Sequence, residues 1–523
     1  MRRRDFLRHT VPAGVMLPSL INGMTVKAYG AESLLMQGLF PATTDTDHVL
    51  VIVQLNGGND GLNTVIPIEY FPNYIRARSN MYIPQQKVLG LSGNDRVGFH
   101  PAMTGMQALY NDGKMSVIHS VGYPQPNFSH FRATDIWMSA SDSKEVVNSG
   151  WTGRYLNYEY PNFPNGYPNS SMPDPLAIQI GSTTSLALQG PAVSMGMSIS
   201  NPSNFYNLIA GVQDPAPNTP AGKELTYIRK VAQQTTAYAE VIKAASAKVT
   251  QQAEYPNNSL AAQLKIVARL IAGGLKTRIY MVSYGGFDTH SAQVNSLDHT
   301  TGTHANLLKN VSDSIKAFQD DLKLQKVDDR VLGMTFSEFG RRIKSNGSTG
   351  TDHGSAAPMF VFGKNVDSGV IGDTPNIPVT ASFNDNLPFQ YDFRSVYATI
   401  LNKWLCVDAD DLEQIMLKNF QVLPIVNSLA CNKSVNLSGE NFITNYPNPF
   451  TQSTNISFKT AGGHTLIQIM DTMGRVLKNL IDREYEAGNY NVVFDGSGLQ
   501  PGVYYIRFQN MVVQQVRAML KVR

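Results

Sequence analysis

At 523 residues the chain is too long for one ordinary core, so two domains with additions are expected. A hydrophobic content of 42% with 42 Gly and 28 Pro is a globular composition and excludes a disordered chain. The net charge of +3 misleads, because residues 1–30 hold five Lys/Arg and one Asp, leaving 38 basic and 39 acidic groups elsewhere; a near-neutral body argues against nucleic acid as a partner.

The chain begins "MRRRDFLRHTVPAGVMLPSLINGMTVKAYGAE". Charged residues lead into a moderately apolar stretch broken by Pro and Gly and ending in small residues, which predicts an export signal over 1–30 with cleavage near Ala28–Ala31. Arg3-Arg4 followed by Asp5-Phe6-Leu7 resembles the twin-arginine signal, which implies transit of the periplasm as a folded protein. The plainer alternative is a basic amphipathic helix. No later stretch is apolar for long enough to span a bilayer.

From His48 the run "HVLVIVQLNGGNDGLN" predicts a strand buried on both faces, then a Gly/Asn turn. "KMSVIHSVG" (114–122) repeats that grammar. Residues 155–225, rich in Pro, Asn, Ser and Tyr, predict an irregular insertion. Over 259–274 the spacing of Leu260, Leu264, Val267 and Ile271 predicts a helix stopped by Gly273-Gly274. A strand, "TRIYMVSYGGFDTH", follows; then an amphipathic helix over 304–323 and the strand "VLGMTFSEFG". This alternation predicts an α/β fold with a doubly wound, mostly parallel sheet over 31–430. After a linker at 431–442, residues 443–523 read as short alternating strands between turns, predicting a small all-β, Ig-like sandwich of about seven strands. Cys406 and Cys431 are the sole cysteines, which excludes a cysteine metal cluster; an exported chain permits either a disulfide between them or two buried thiols.

In open parallel sheets ligands bind beyond the C-terminal strand ends. There the sequence places Asp60, then Asp288 and His290, then Glu338, with Asp352 and His353 before "APMFVFG" and His304 where a helix begins. So many carboxylates and imidazoles at one rim call for a cation. Mixed N and O donors favour one or two divalent ions of zinc, manganese or iron, with calcium or magnesium kept open. Each position also has a plainer reading. Asp60 in "GGNDG" suits a turn, Asp288-Thr289-His290 suits a helix cap, and Glu338 suits a local ion pair with Arg341 or Arg342.

A hydrolytic centre also needs a nucleophile. In "YPQPNFSHFRATDIWMSA" (123–140), Ser129 precedes a helix predicted to start near His130, where free N–H groups favour an anion. Ser129 is the candidate nucleophile, or only a cap; His130 and Arg132 are placed to bind or orient the anion. Trp151 in "NSGWTGRYL" is expected in the core.

"LNGGNDGLNTVIP", "NFSHFRATDIW", "GWTGRYL", "GGFDTHSAQ" and "SEFGRRIKSNGSTGTDHG", in that order, resemble the domain-of-unknown-function 1501 family, over about residues 45–425. That family is placed with the alkaline-phosphatase-like, sulfatase-like superfamily. The resemblance implies a metal-dependent hydrolase of phosphate or sulfate esters with a nucleophile at a helix start. Asp60, Asp288, His290, Glu338, Asp352 and His353 fall on ligand-like positions and Ser129 on a nucleophile-like one. No Cys-x-Pro-x-Arg signature is present, and Glu338 stands where many members place Asp. The substrate implied is a small anionic ester or a sulfated or phosphorylated glycan. The tail, with Tyr446-Pro447-Asn448-Pro449-Phe450, Asp471-Thr472-Met473-Gly474 and Pro501-Gly502-Val503-Tyr504, resembles the type IX secretion sorting domain of Bacteroidetes-like bacteria. It implies a secretion-machinery partner and a cell-surface or extracellular destination. The alternative function is a non-catalytic surface binding or adhesion protein on the same fold.

Overall fold

The computed structural model describes residues 46–200, 238–427 and 431, those of 443–522 other than 461–462, 473, 487 and 511–513, and a short strand pair, Ser19–Ile21 with Met24–Val26. The rest of the signal-like segment 1–30, the linker 432–442 and the 201–225 part of the insertion lie outside the described residues. Thr46–Cys431 forms one compact unit, and Asn432–Arg523 belongs to another.

The main sheet of the first unit has, among the described residues, nine strands: β1 Val49–Leu55, β2 Met115–Gly122, β3 Ala177–Ile180, β4 Met197–Ile199, β5 Ile279–Tyr284, β6 Val331–Phe336, β7 Ala357–Phe362, β8 Gly369–Ile371 and β9 Tyr391–Asp392. They make one sheet in the order β8-β2-β7-β6-β1-β5-β3-β4, with β9 also paired to β2. The main helices are α1 Phe71–Ala77, α2 Thr104–Asn111, α3 His130–Ser139, α4 Trp151–Glu159, α5 Ser259–Ala272, α6 Thr303–Leu324 and α7 Phe393–Thr399. The central strand explains the layering. Every residue of β1 is buried, and alternate side chains go to opposite cores. Val49, Val51 and Val53 pack with Leu264, Val267, Ile315 and Phe318 of α5 and α6. Leu50 and Ile52 share the other core with Ile136, Trp137, Trp151 and Tyr397 of α3, α4 and α7. Trp151 is buried and stacks on Tyr397, as expected of a core aromatic.

Two features depart from the simplest βα reading. Within 155–200, read as irregular, β3 and β4 add two parallel strands at the sheet edge. In addition, β7 runs antiparallel to both β6 and β2, whereas the other pairs in the sheet are parallel. Reversal puts the start of β7 at the rim where β1, β5 and β6 end. Asp352 and His353, just before β7, therefore arrive beside Glu338, just after β6.

Cys406 and Cys431 form a disulfide that holds the last residue of this unit. The strands of the C-terminal part pair antiparallel: β10 Ile443–Tyr446, β11 Ser453–Thr460, β12 Gly463–Met470, β13 Val476–Tyr485, β14 Gly488–Asp495, β15 Gly502–Gln509 and β16 Gln514–Lys521. Sheets β10-β11-β14 and β13-β12-β15-β16 share a core of Ile456, Phe458, Ile467, Ile469, Ile506 and Phe508. That core comes from the period-two alternation of the strands, and the two-sheet arrangement is the one expected.

Candidate metal centre

The loop after β1 is forced into shape by glycine. Gly57 and Gly58 have φ of +122° and +79°, and a Cβ on Gly57 would lie 2.3 Å from the Asp288 backbone nitrogen. Only a bare backbone permits that approach. The amide of Gly57 donates to Glu338 Oε1 at 2.9 Å. On the far side, Gly340–Arg341 pairs antiparallel with His353–Gly354, so the start of β7 is held against the segment after β6.

These loops bring four side chains together. His130 Nε2 lies 3.5 Å from Asp288 Oδ2; His290 Nε2 and His353 Nε2 lie 3.1 and 3.2 Å from Asp288 Oδ1, and 2.9 Å from each other. The second nitrogen of each ring is spoken for. His130 Nδ1 is 2.8 Å from Glu338 Oε1, His290 Nδ1 is 3.2 Å from Asp352 Oδ1, and His353 Nδ1 is 2.8 Å from the Phe128 carbonyl oxygen. A carboxylate and a carbonyl only accept, so each Nδ1 faces an acceptor behind the ring while each Nε2 faces Asp288. The ligating atoms of His130, Asp288 and His353 all lie within 4.8 Å of one another. Separations of this size suit donors that share an ion at about 2.0–2.2 Å. Carboxylate or carbonyl partners behind the imidazoles are the usual outer support of such ligands. The residues fit a metal ion.

Arg341 is the fixed cation of the site. Its buried guanidinium donates to the carbonyl oxygens of Gly58, Thr351 and Phe287 at 2.7, 2.6 and 3.0 Å, and to Asp288 Oδ1 at 2.7 Å. Partial burial works to raise the Asp288 pKa, but Arg341, His353 and His290 outweigh it and bring it down to about 2. Burial lowers the pKa of His353, which keeps its ring neutral. A hydrogen bond from Asn346, with a smaller contribution from His290, holds Asp352 below its ordinary value.

Several expectations need correcting. Asp60 is not in the group: it is buried in a bidentate pair with Arg78, 2.6 and 3.0 Å, and accepts from Gln293 Nε2 at 2.6 Å. His304 is also elsewhere, buried with Nε2 3.0 Å from Asn59 Oδ1. Burial brings its pKa down to about 4. Glu338 and Asp352 stand behind His130 and His290 rather than among the converging nitrogens. His130, read as an anion-orienting group, is one of those nitrogens. Arg132 turns away and donates to the carbonyl oxygens of Asp142 and Ser143 at 3.3 and 3.2 Å, and also to that of Glu145. Ser129 is the exposed N-cap of α3, and its hydroxyl makes no cap hydrogen bond. Arg341 was read only as a local partner of Glu338. Its pairing with Asp288 crosses 53 positions, and nothing in a short stretch of sequence signals it.

An open cleft of about 400 Å³ is lined by His130, Asp288 and Glu338 and by Phe131, Thr134 and Asp135 of α3. Comparison with known proteins places the chain in a family. Residues 47–412 match the family described as "Protein of unknown function (DUF1501)", and the chain belongs to it. Residues 444–521 match the secretion system C-terminal sorting domain, the type IX domain expected from the tail, which marks the chain for export to the surface or the medium. No curated protein matches the chain. Among solved structures it is similar to the phosphonate monoester hydrolase of Agrobacterium radiobacter, at 10% identity and a TM-score of 0.33 over 90% of this chain and 88% of that one. A sulfatase from Pseudoalteromonas sp. gives 10% and 0.31 over 86% and 84%. A protein of the alkaline phosphatase superfamily from Vibrio parahaemolyticus gives 8% and 0.30 over 91% and 82%. At these values the likeness decides nothing about chemistry. No helix among the described residues is long and apolar enough to cross a membrane.

Proposed function

We propose that the chain is an exported hydrolase of phosphate or sulfate esters that works with one or two divalent ions, zinc, manganese or iron in preference to calcium or magnesium. The observation that carries this reading is the convergence of the Nε2 atoms of His130, His290 and His353 on Asp288, each ring fixed from behind at Nδ1. Three nitrogens and a carboxylate suit a transition ion, whereas calcium takes oxygen almost alone. In this reading His130, His353, Asp288 and His290 hold the ion, and Glu338 and Asp352 orient the imidazoles. When bound, the ion supplies Lewis acidity toward the ester's charged oxygens.

The rest falls to the chain. The first-turn N–H groups of α3 have no partner within the helix and point toward an anion at its start. Ser129 at that N-cap is the nucleophile: its oxygen bonds to phosphorus or sulfur as the bond to the departing oxygen breaks, its proton ends on that oxygen so that an alcohol leaves, and water then hydrolyses the seryl ester to release the acid and restore the hydroxyl. The export route in this reading is a signal at 1–30 into the periplasm, then outer-membrane passage through the tail.

Metal-loaded protein is expected to hydrolyse an aryl phosphate or aryl sulfate. Ser129→Ala should abolish turnover with metal content unchanged, while Asp288→Ala and His353→Ala should lose metal and turnover together. Full metal content in both of the latter, by elemental analysis, would sink the metal reading. Undiminished turnover in Ser129→Ala would remove the serine from its role.

A further inference from the structure

Phe131 lines the cleft but takes no part in the chemistry above. It is 87% exposed, although α3 buries Ala133, Ile136 and Trp137. With Thr134 and Asp135 it forms an i, i+3, i+4 stripe, and all three line the cleft. A single exposed ring on a protein surface means little. This one stands at the mouth of a cleft that holds the converging imidazoles.

The surrounding groups define what the ring would meet. Asn56 and Gly57 complete the lining, so besides His130 its polar side chains are Asn56, Thr134 and the carboxylates Asp135, Asp288 and Glu338. The lining contains no Lys or Arg among the described residues. Arg132, which follows Phe131, is turned away and bonded to backbone carbonyls. An alkyl alcohol covering Phe131 would strip water from Asp135 and Asn56 without replacing their hydrogen bonds, which is unfavourable. A polyanionic sugar would bring a second negative charge toward Asp135 with no cation to meet it.

We propose that Phe131, Thr134 and Asp135 form a subsite for a neutral sugar ring carrying a single anionic ester. One C–H face of the ring stacks on Phe131, whose π-face is the negative one. The sugar hydroxyls donate to Asp135 and meet Asn56 and Thr134, and the volume is within the usual range for a small-molecule site, about 300–1,000 Å³. This inference rests on the preceding reading, which puts the anionic end of the ligand at the imidazoles and the start of α3.

The test is calorimetric titration of the metal-loaded full chain with glucose 6-sulfate, propyl sulfate, a disulfated glucose and inorganic sulfate, and with the corresponding phosphates. The wild type should prefer the glucose monoester to the propyl ester by about tenfold. Phe131→Ala should remove that preference, Phe131→Trp should keep it, and inorganic anion affinity should not move in either. Asp135→Asn should relax the discrimination against the disulfated sugar. Equal affinity for sugar and propyl esters in the wild type, or an undiminished preference in Phe131→Ala, overturns the subsite. Aryl-ester turnover, measured on the same samples, separates the two readings. Turnover without sugar preference sinks the subsite and leaves the hydrolase; sugar preference without turnover keeps the subsite and sinks the hydrolase.

Discussion

Asp60→Asn separates a ligand from a buried structural charge. In the structure Asp60 and Arg78 are 1% and 0% exposed, and Arg78 also donates to the carbonyl oxygens of Ile343 and Arg342 at 2.5 and 2.7 Å. Asp60 further accepts from Gln293, whose Oε1 accepts from Thr289 and Thr351 at 2.9 and 2.8 Å. Replacing the carboxylate with an amide keeps the shape and removes the charge, so the guanidinium is left buried without a counter-ion. Breaking one side of such a pair costs about 3–5 kcal/mol, a large share of a total stability of about 5–15 kcal/mol. The urea midpoint, followed by near-ultraviolet circular dichroism, should fall with an unchanged slope. Thr289 and Thr351 are neighbours of Asp288 and Asp352, so metal affinity should also weaken, but at saturating metal the bound stoichiometry should equal that of the wild type. A stable Asp60→Asn protein that cannot be loaded with metal would refute this reasoning and return Asp60 to the coordination sphere.

Three further outcomes are expected. Glu338→Gln keeps an acceptor for His130 but weakens the hold on its ring, so metal affinity measured by chelator competition should drop about 10–100-fold. Outside the site, burial takes His100 down to about 3 and His119 and His304 to about 4. They are neutral when folded but take up protons when unfolded, so stability is complete above the ordinary histidine pKa and is lost as pH falls below about 6.5. The loss between pH 6.5 and 5.5 should be about 1 kcal/mol for each, and denaturant titration of His119→Leu should show a shallower decline. Opening the Cys406–Cys431 disulfide, which closes 25 positions, should cost about 3.5 kcal/mol on chain-entropy grounds. Denaturation of Cys406→Ala/Cys431→Ala with and without reductant checks this, since only the wild type should respond to reductant.

Much of the frame was legible because it is written in local periodicity. Helix Ser259–Ala272 ends at Gly273, where its apolar spacing stops, and β1 matches its uninterrupted apolar run. The rim residues were legible in outline, since the sheet rule says where loops gather. Partner choice was not. Asp60 and Asp288 look alike beside their Gly-rich turns, yet one faces Arg78 and the other three imidazoles. Apart from His290, two positions from Asp288, the deciding partners lie 18 to 158 positions away. Strand direction was likewise hidden in β7, because an apolar run has the same composition in either direction. The strands β3 and β4 are only four and three residues long, too short for a period to emerge from Pro- and Asn-rich surroundings.

The reversal of β7 has an evolutionary corollary. Glu338, Arg341, Asp352 and His353 all lie in the stretch between β6 and β7, so half of the rim chemistry is inherited as one continuous piece of twenty-odd codons. A single exchange of that piece between relatives would replace all four residues at a stroke, while the strands on either side kept their places in the sheet.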